Sequence, residues 1–414
     1  MTLLKTSALS AIASVIRILN GLIITKVIAV YVGPSGLALI GQLQNFINIM
    51  LLFSGDFLKT ATTKYTAEYI DDEQKKYTLW STQIKIVFFL NIIIFSILFF
   101  FADSISSYLL KSTEFSYILK VLAFSLPFFV FNTMILSILN GHKQIKKYIA
   151  LSIASSVVSL VIVVVLSIYY GLSGALIAYT INQSVVFFIA LYFTKDEEWF
   201  KVSNFRHAMN SEDVKKLMGF ALITLVAILS SNLTLMYIRN YISVNLSLED
   251  AGYWQGIWSL SQVSLSLITT SLVTYFLPTL SGLKDKQKIS KELKNAIKLI
   301  LPIAFAISMS MYFLRDLIIH LLYTEEFQAM EELFLWQMIG NTIKVAGWLF
   351  GYVLVAKAMV KYTVTTEIIF AILFIVLSII CINQFGLVGV TYAFTINSFL
   401  HFVTMFLIYK YKVI

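Results

Sequence analysis

The sequence predicts an all-α integral membrane protein of about twelve transmembrane helices, and three observations carry that reading. Apolar residues make up 59% of the 414 residues and charged ones only 13%, against roughly 45–50% and 25% in soluble domains. Apolar runs of about 20 residues recur from one end of the chain to the other, which is the length that crosses a hydrocarbon core of about 30 Å at 1.5 Å per helical residue. The connections between these runs alternate between lysine-rich and lysine-poor.

In chain order the runs fall near residues 8–32, 36–56, 80–102, 116–140, 148–170, 173–193, 216–240, 250–276, 295–315, 333–356, 361–383 and 386–409. Met1 to Ser10 has no charged start and no small-residue cleavage site, so the first run is expected to stay as a helix. After the second run come Lys59, Lys64, Lys75 and Lys76, and after the fourth Lys143, Lys146 and Lys147. The sixth is followed by Lys195, Lys201, Arg206, Lys215 and Lys216, the eighth by Lys284, Lys286, Lys288, Lys291 and Lys294, and the tenth by Lys357 and Lys361. Lysine and arginine mark the cytoplasmic side, which places these connections and both termini, with Lys5, Lys410 and Lys412, in the cytoplasm of an inner-membrane protein. The outward connections are nearly uncharged, as at Tyr170 to Leu172, or acidic, as in the stretch with Asp316, Glu325, Glu326, Glu331 and Glu332. The net charge of +9 is therefore a topology signal and a contact with anionic membrane lipids, and it excludes a nucleic-acid footprint.

The chain repeats itself. Tyr170-Gly-Leu-Ser-Gly-Ala-Leu-Ile-Ala-Tyr-Thr-Ile-Asn182 returns as Phe385-Gly-Leu-Val-Gly-Val-Thr-Tyr-Ala-Phe-Thr-Ile-Asn397, 215 residues on. Lys143, Lys147 and Tyr148 echo in Lys357, Lys361 and Tyr362, and Leu109, Leu110, Glu114 and Phe115 echo in Leu321, Leu322, Glu326 and Phe327. Asp103 likewise matches Asp316. Six helices separate the copies, so the expectation is two parallel six-helix halves, 1–210 and 211–414, that rock about a central site.

Polar side chains recur at helical spacing on several runs. The first carries Ser10, Ser14, Arg17, Gly21 and Thr25, and the second Gly41, Asn45, Asn48 and Gly55 ahead of Asp56. The seventh has Thr224, Ser231 and Thr234 leading to Arg239, the eighth Gln255, Ser259, Gln262, Ser266 and Thr269, and the tenth Gln337, Asn341, Lys344, Trp348 and Gly351. Small and hydroxyl residues of this kind also serve as interhelical packing, so the informative members are the charged ones. Arg17 and Lys344 fall near mid-span, where each costs about 2.5–3.5 kcal/mol to insert. A water-filled cavity, an anionic ligand or a partner carboxylate, Asp56 or Glu367, would offset that cost. Lys26, Arg239 and Arg315 lie toward the outer boundary, within reach of snorkelling. Trp258 and Trp348 could stack on sugar faces, whereas Trp254 reads as an interfacial belt residue.

The four histidines have no ligand spacing, so no metal is expected, and the single cysteine, Cys381, forms no intramolecular disulfide. No GxxxxGK[ST] loop and no catalytic constellation occurs, and no cofactor is implied. The pattern is that of a transporter rather than an enzyme.

Several strings then resemble one family. Gly33-Pro-Ser-Gly-Leu-Ala-Leu-Ile-Gly-Gln42, Thr63-Lys-Tyr65, Gly252-Tyr-Trp-Gln-Gly-Ile-Trp258, Phe276-Leu-Pro-Thr-Leu280 and Trp336-Gln-Met-Ile-Gly-Asn-Thr-Ile-Lys344, with Lys357 and Glu367, look like the polysaccharide flippases of the multidrug/oligosaccharidyl-lipid/polysaccharide (MOP) exporter superfamily. The likeness is greatest to O-antigen (Wzx-type) and enterobacterial common antigen lipid III flippases. It implies a V-shaped, MATE-like bundle around a cationic central cavity. It also implies movement of undecaprenyl-pyrophosphate-linked oligosaccharide from the cytoplasmic to the periplasmic leaflet, in a pathway shared with a polymerase and a chain-length regulator. The cations matching that picture are Arg17, Lys26, Lys64 and Lys344, with Ser14, Asn45, Asn48, Gln255, Gln262 and Asn341 as cavity-lining polar residues and Asp56 and Glu367 as candidate ion-coupling carboxylates. A cation-coupled multidrug exporter on the same fold would call for an acidic cavity, and the excess of lysine and arginine argues against it. A polysaccharide polymerase would call for a long outward loop, and a transferase for clustered intramembrane acids or histidines.

Overall fold

The computed structural model of the chain describes residues 3–219 and 221–413, with side chains from Ala13 onward except at 223 and 274. The side chains of Lys5 and Ser10 lie outside the described residues. All regular structure among the described residues is helical. In order the helices are α1 (Leu3–Tyr31), α2 (Gly33–Ser54), α3 (Lys59–Glu68), α4 (Glu73–Phe100), α5 (Ala102–Leu110), α6 (Ser116–Gly141), α7 (Ile145–Thr194) and α8 (Ser211–Met218). They continue as α9 (Ala221–Asn245), α10 (Leu248–Ser271), α11 (Leu277–Gly282), α12 (Lys286–Phe313), α13 (Arg315–Leu322), α14 (Phe334–Ala356), α15 (Val360–Phe385) and α16 (Val388–Ile408).

Among the described residues, nine helical segments are long and apolar enough to cross a membrane. One of them, α7, runs for 50 residues and holds the fifth and sixth expected spans, bent at Gly171 where φ is 54° and ψ −133°. The seventh and eighth expected spans coincide with α9 and α10, of 25 and 24 residues, whose Asn232, Arg239, Gln255 and Gln262 make them more polar than the rest. Helix starts use side-chain oxygens for the amides that no helical partner can reach. Asp72 accepts from the Lys75 amide at 3.0 Å, Ser247 from Asp250 at 2.9 Å and Asp285 from Gln287 at 2.8 Å.

Contacts divide the chain into two compact units, one of Met1–Val32 with Leu39–Ile228 and one of Gly33–Ala38 with Leu229–Ile414. In the first, α6 packs against α3, α4 and α7, and α7 packs against α1. Its polar end closes over Trp80, which is fully buried and donates its indole N–H to Thr66 at 2.9 Å. His142, Trp199 and Phe205 surround that indole at ring distances of 5.6, 5.8 and 5.8 Å. The segment after α7 is tied back onto α4: Lys85 donates to the His207 carbonyl at 2.8 Å, the His207 amide to Ser81 at 3.0 Å and the Asn210 amide to Thr82 at 3.2 Å. Glu197 is half-buried there, and hydrogen bonds from Lys147 and Gln144 hold its carboxyl below the usual value against the opposing effect of burial. In the second unit α14 packs against α12 and α16, with Leu272, Leu293, Val345, Leu349 and Val353 at its core.

The two units share unusual local backbone at the repeat offset. Gly386 has φ 63° and ψ −148°, the conformation of Gly171, and Lys143 and Ala358 have φ of 58° and 52°. A Cβ on Gly174 would stand 1.9 Å from the Leu166 carbonyl oxygen, and one on Gly389 would stand 2.1 Å from that of Cys381. The helices α4 and α12 are both 28 residues long and begin 213 residues apart.

Gly174→Val and Gly389→Val should each destabilise the protein by at least the upper end of the 1–3 kcal/mol typical of overpacking, about 3 kcal/mol, because the obstructing atoms are backbone. Thermal unfolding in detergent would read the loss, and Gly351→Ala, whose Cβ meets nothing within 4 Å, should not move it. Burial, with Lys76 nearby, pushes the His142 imidazole below its ordinary value of 6.5, so the unfolded chain takes up the proton more readily than the folded one. The stabilisation is complete above that value and is lost as pH falls through it. Tryptophan fluorescence should report loosening around Trp80 and Trp199 on acidification, with a smaller pH dependence in His142→Gln.

Candidate functional site

Each unit contains a polar cleft at the level of its membrane-spanning helices. In the first unit Arg17 and Asn20 on α1 face Ser152, Ser155, Ser156 and Ser159 on α7, with Gln183 at one side, around about 350 Å³. A helix brings residues three and four apart to one face, which is why the four serines make a single hydroxyl-lined wall. Asn182 donates to Ser159 at 3.1 Å and Asn132 to Gln183 at 3.0 Å, fixing the far wall. Arg17 is exposed, and among the described residues no carboxylate lies within ion-pair distance of it. The buried Asn20 Nδ2 has no partner among the described residues. The expected pairing of Arg17 with Asp56 does not occur, because Asp56 is held by Lys59 one turn away at 2.6 Å.

The second cleft is smaller, about 150 Å³, and is built by five helices of its unit: Ser231 and Thr234 on α9, Trp258 on α10, Lys344 and Trp348 on α14, Glu367 on α15 and Asn397 and His401 on α16. The Lys344 ammonium sits 5.1 Å from the Phe394 ring, 5.7 Å from Trp258 and 5.6 Å from Trp348. Ring faces at these distances attract a cation and offset part of its desolvation, but they do not fill its three N–H donors. Glu367 lines the same cleft without coming within 4.0 Å of the ammonium. A cleft with a hydrogen-bond-deficient ammonium, two indole faces and amide and hydroxyl groups is chemically suited to an oxyanion attached to a sugar.

The other expected site residues lie elsewhere. Lys64 is exposed on α3, over Tyr65 at 4.5 Å and 3.9 Å from Glu68. Lys26 and Ser14 are half-buried on α1, Asn45 is buried and Asn48 exposed on α2, and none of these four lines either cleft. Two of the supposed cavity-lining residues are helix glue: Asn341, 1% exposed, donates to Ser261 at 3.1 Å, and Gln255 is buried between Arg239 and Ser259. Gln262 is exposed on α10. Arg239 does not snorkel, being 3% exposed and stacked over Trp254 at 5.6 Å. Trp254 is correspondingly no belt residue and is fully buried. In the sequence His401 is only one of four histidines without ligand spacing, and Phe394 only the aromatic matched to Tyr179 in the repeat, so neither points to a cleft. Asn397 carried a signal, as the last residue of the repeat whose counterpart Asn182 braces the first cleft.

The same fold occurs in solved membrane transporters. The chain superposes with TM-score 0.83 on an inward-facing multidrug resistance MATE family transporter of the MOP superfamily, at 16% identity over 97% of this chain and 94% of that one. With the lipid II flippase MurJ in an inward closed conformation the TM-score is 0.76, at 16% identity over 98% and 87% of the two chains. The polysaccharide biosynthesis protein family model matches residues 27–332, and the chain belongs to that family. It is 26% identical over 402 residues to the lipid III flippases of Escherichia coli (strain K12) and Shigella flexneri, a span of 97% of this chain and 97% of each of theirs.

Lys344→Met should leave the thermal unfolding temperature in detergent unchanged or raised, since replacing a buried charge by a hydrophobe of similar volume is neutral or stabilising by about 1–4 kcal/mol. A large fall would mean that the ammonium is a structural element of the unit.

Proposed function

We propose that the protein is a flippase that carries undecaprenyl-pyrophosphate-linked oligosaccharide from the cytoplasmic to the periplasmic leaflet of the bacterial inner membrane. The observation that carries this reading is the Lys344 ammonium, beside three aromatic rings and with no hydrogen-bond acceptor among the described residues, in a cleft that also offers two indole faces. A diphosphate supplies the missing acceptors and the adjoining sugars the stacking faces. Family membership and the two lipid III flippases support the substrate class. Arg17 above the serine wall is the second cation, able to take a phosphate oxygen pair that lysine takes only as a point charge. Lys26 and Lys64 guide the anionic headgroup, and Asp56 and Glu367 couple transport to an ion gradient. The chain is organised as halves 1–210 and 211–414, with both termini in the cytoplasm, and the protein makes and breaks no covalent bond. Its product passes to a polymerase and chain-length regulator. A cation exporter would need a surplus of carboxylate, whereas Glu367 shares its cleft with Lys344 and His401.

Deleting the gene should abolish surface glycan and leave lipid-linked repeat units in the cytoplasmic leaflet. Arg17→Ala and Lys344→Ala should reproduce that phenotype at wild-type abundance in the membrane. Normal glycan from both variants would overturn the cationic-site reading, and repeat units accumulating unextended in the outer leaflet would identify a polymerase instead.

A further inference from the structure

The equivalence of α4 and α12 sets two matching faces of different chemistry against each other. On α4 the side chains Tyr77, Ser81, Thr82 and Lys85 receive the segment after α7: Tyr77 stacks on His207 at 6.1 Å, and the other three bond to backbone of Asn204, His207 and Asn210. Their counterparts 213 residues on are Ser290, Lys294, Asn295 and Lys298. These four share one face of α12 with Lys286, Gln287 and Lys291. Where α4 presents hydroxyls and one lysine to a peptide, α12 presents four ammonium groups. Among the described residues none of Lys291, Lys294 and Lys298 has a carboxylate within ion-pair distance. Each is exposed, while Ile289, Leu293 and Ala296 on the opposite face are buried in the core.

We propose that this face of α12 is a headgroup site for anionic phospholipid of the bilayer. Charge complementarity sets the sign of the occupant, and the row of residues sets its kind. At steps of four the row runs Lys291, Asn295, Leu299, Ile303, passing from ammonium through amide to aliphatic side chains that are 65% and 48% exposed. Over about 18 Å of helix it thus offers a cation to a phosphate and hydrocarbon to an acyl chain. An acidic peptide would match the first half of that row and not the second. The site is separate from the two clefts, sharing no residue with either.

The test is lipid retention by the full-length purified protein, exchanged into nanodiscs of phosphatidylcholine containing a minor fraction of phosphatidylglycerol and analysed by native mass spectrometry. Wild type should retain phosphatidylglycerol over phosphatidylcholine. The triple variant Lys291→Gln, Lys294→Gln, Lys298→Gln should lose that preference by tenfold or more, given about fivefold for each surface lysine, while the triple arginine variant should keep it. Equal preference in wild type and the glutamine variant would overturn the proposal. A second measurement needs no variant: a photoreactive phosphatidylglycerol should label the 286–303 stretch of wild type. Labelling confined to other helices, or a phosphatidylglycerol preference undiminished in 0.5 M salt, would also overturn it.

Discussion

Hydrocarbon offers no hydrogen bonds, so every backbone N–H and C=O within a span has to be satisfied inside its own helix. The organisation of this chain follows from that constraint. Long helices dominate, and several of their bends and reversals use glycine or a residue in positive φ, such as Gly55, Gly171 and Lys143. The side chains of serine and threonine largely return their hydroxyls to the carbonyl one turn back, as Thr180 does to Leu176 at 2.8 Å and Thr366 to Tyr362 at 2.7 Å. Polarity of that kind is inexpensive and carries little information. Charge is different, and the few charged groups away from the ends of the spans each have a visible arrangement of aromatic rings, amides or hydroxyls around them.

Those arrangements separate two ways of keeping a cation in an apolar setting. Arg239 is fully enclosed by Trp254 and by Gln255 and has been absorbed into the packing. Lys344 is stabilised by ring faces that leave its donors open, and Arg17 faces hydroxyls across an open groove.

Most spans and the repeat were legible in the sequence because hydropathy and loop charge are summed over many residues, and because seven identities in thirteen positions at a fixed offset are hard to produce by chance. The stripes were less informative. Spacing puts Asn341 and Lys344 on one helix face, yet Asn341 turns toward Ser261 and Lys344 toward the cleft, a difference set by the neighbouring helices. Asp56 looked like a partner for Arg17 only because Lys59, three residues on, was read as a loop charge. The place of Phe394 and His401 beside Lys344 became visible only when α16 was laid against α14 and α15.

The shared bend at Gly171 and Gly386 has an evolutionary corollary. A backbone drawn twice from one template has kept its stiff geometry, while its chemistry has gone separate ways: the stretch matching Lys344 in the first unit is Phe129-Val-Phe131, and that matching Arg17 in the second is Ser230-Ser-Asn232. Neither copy can stand in for the other. Each copy has been free to specialise because the membrane, and not the ligand, dictates its shape.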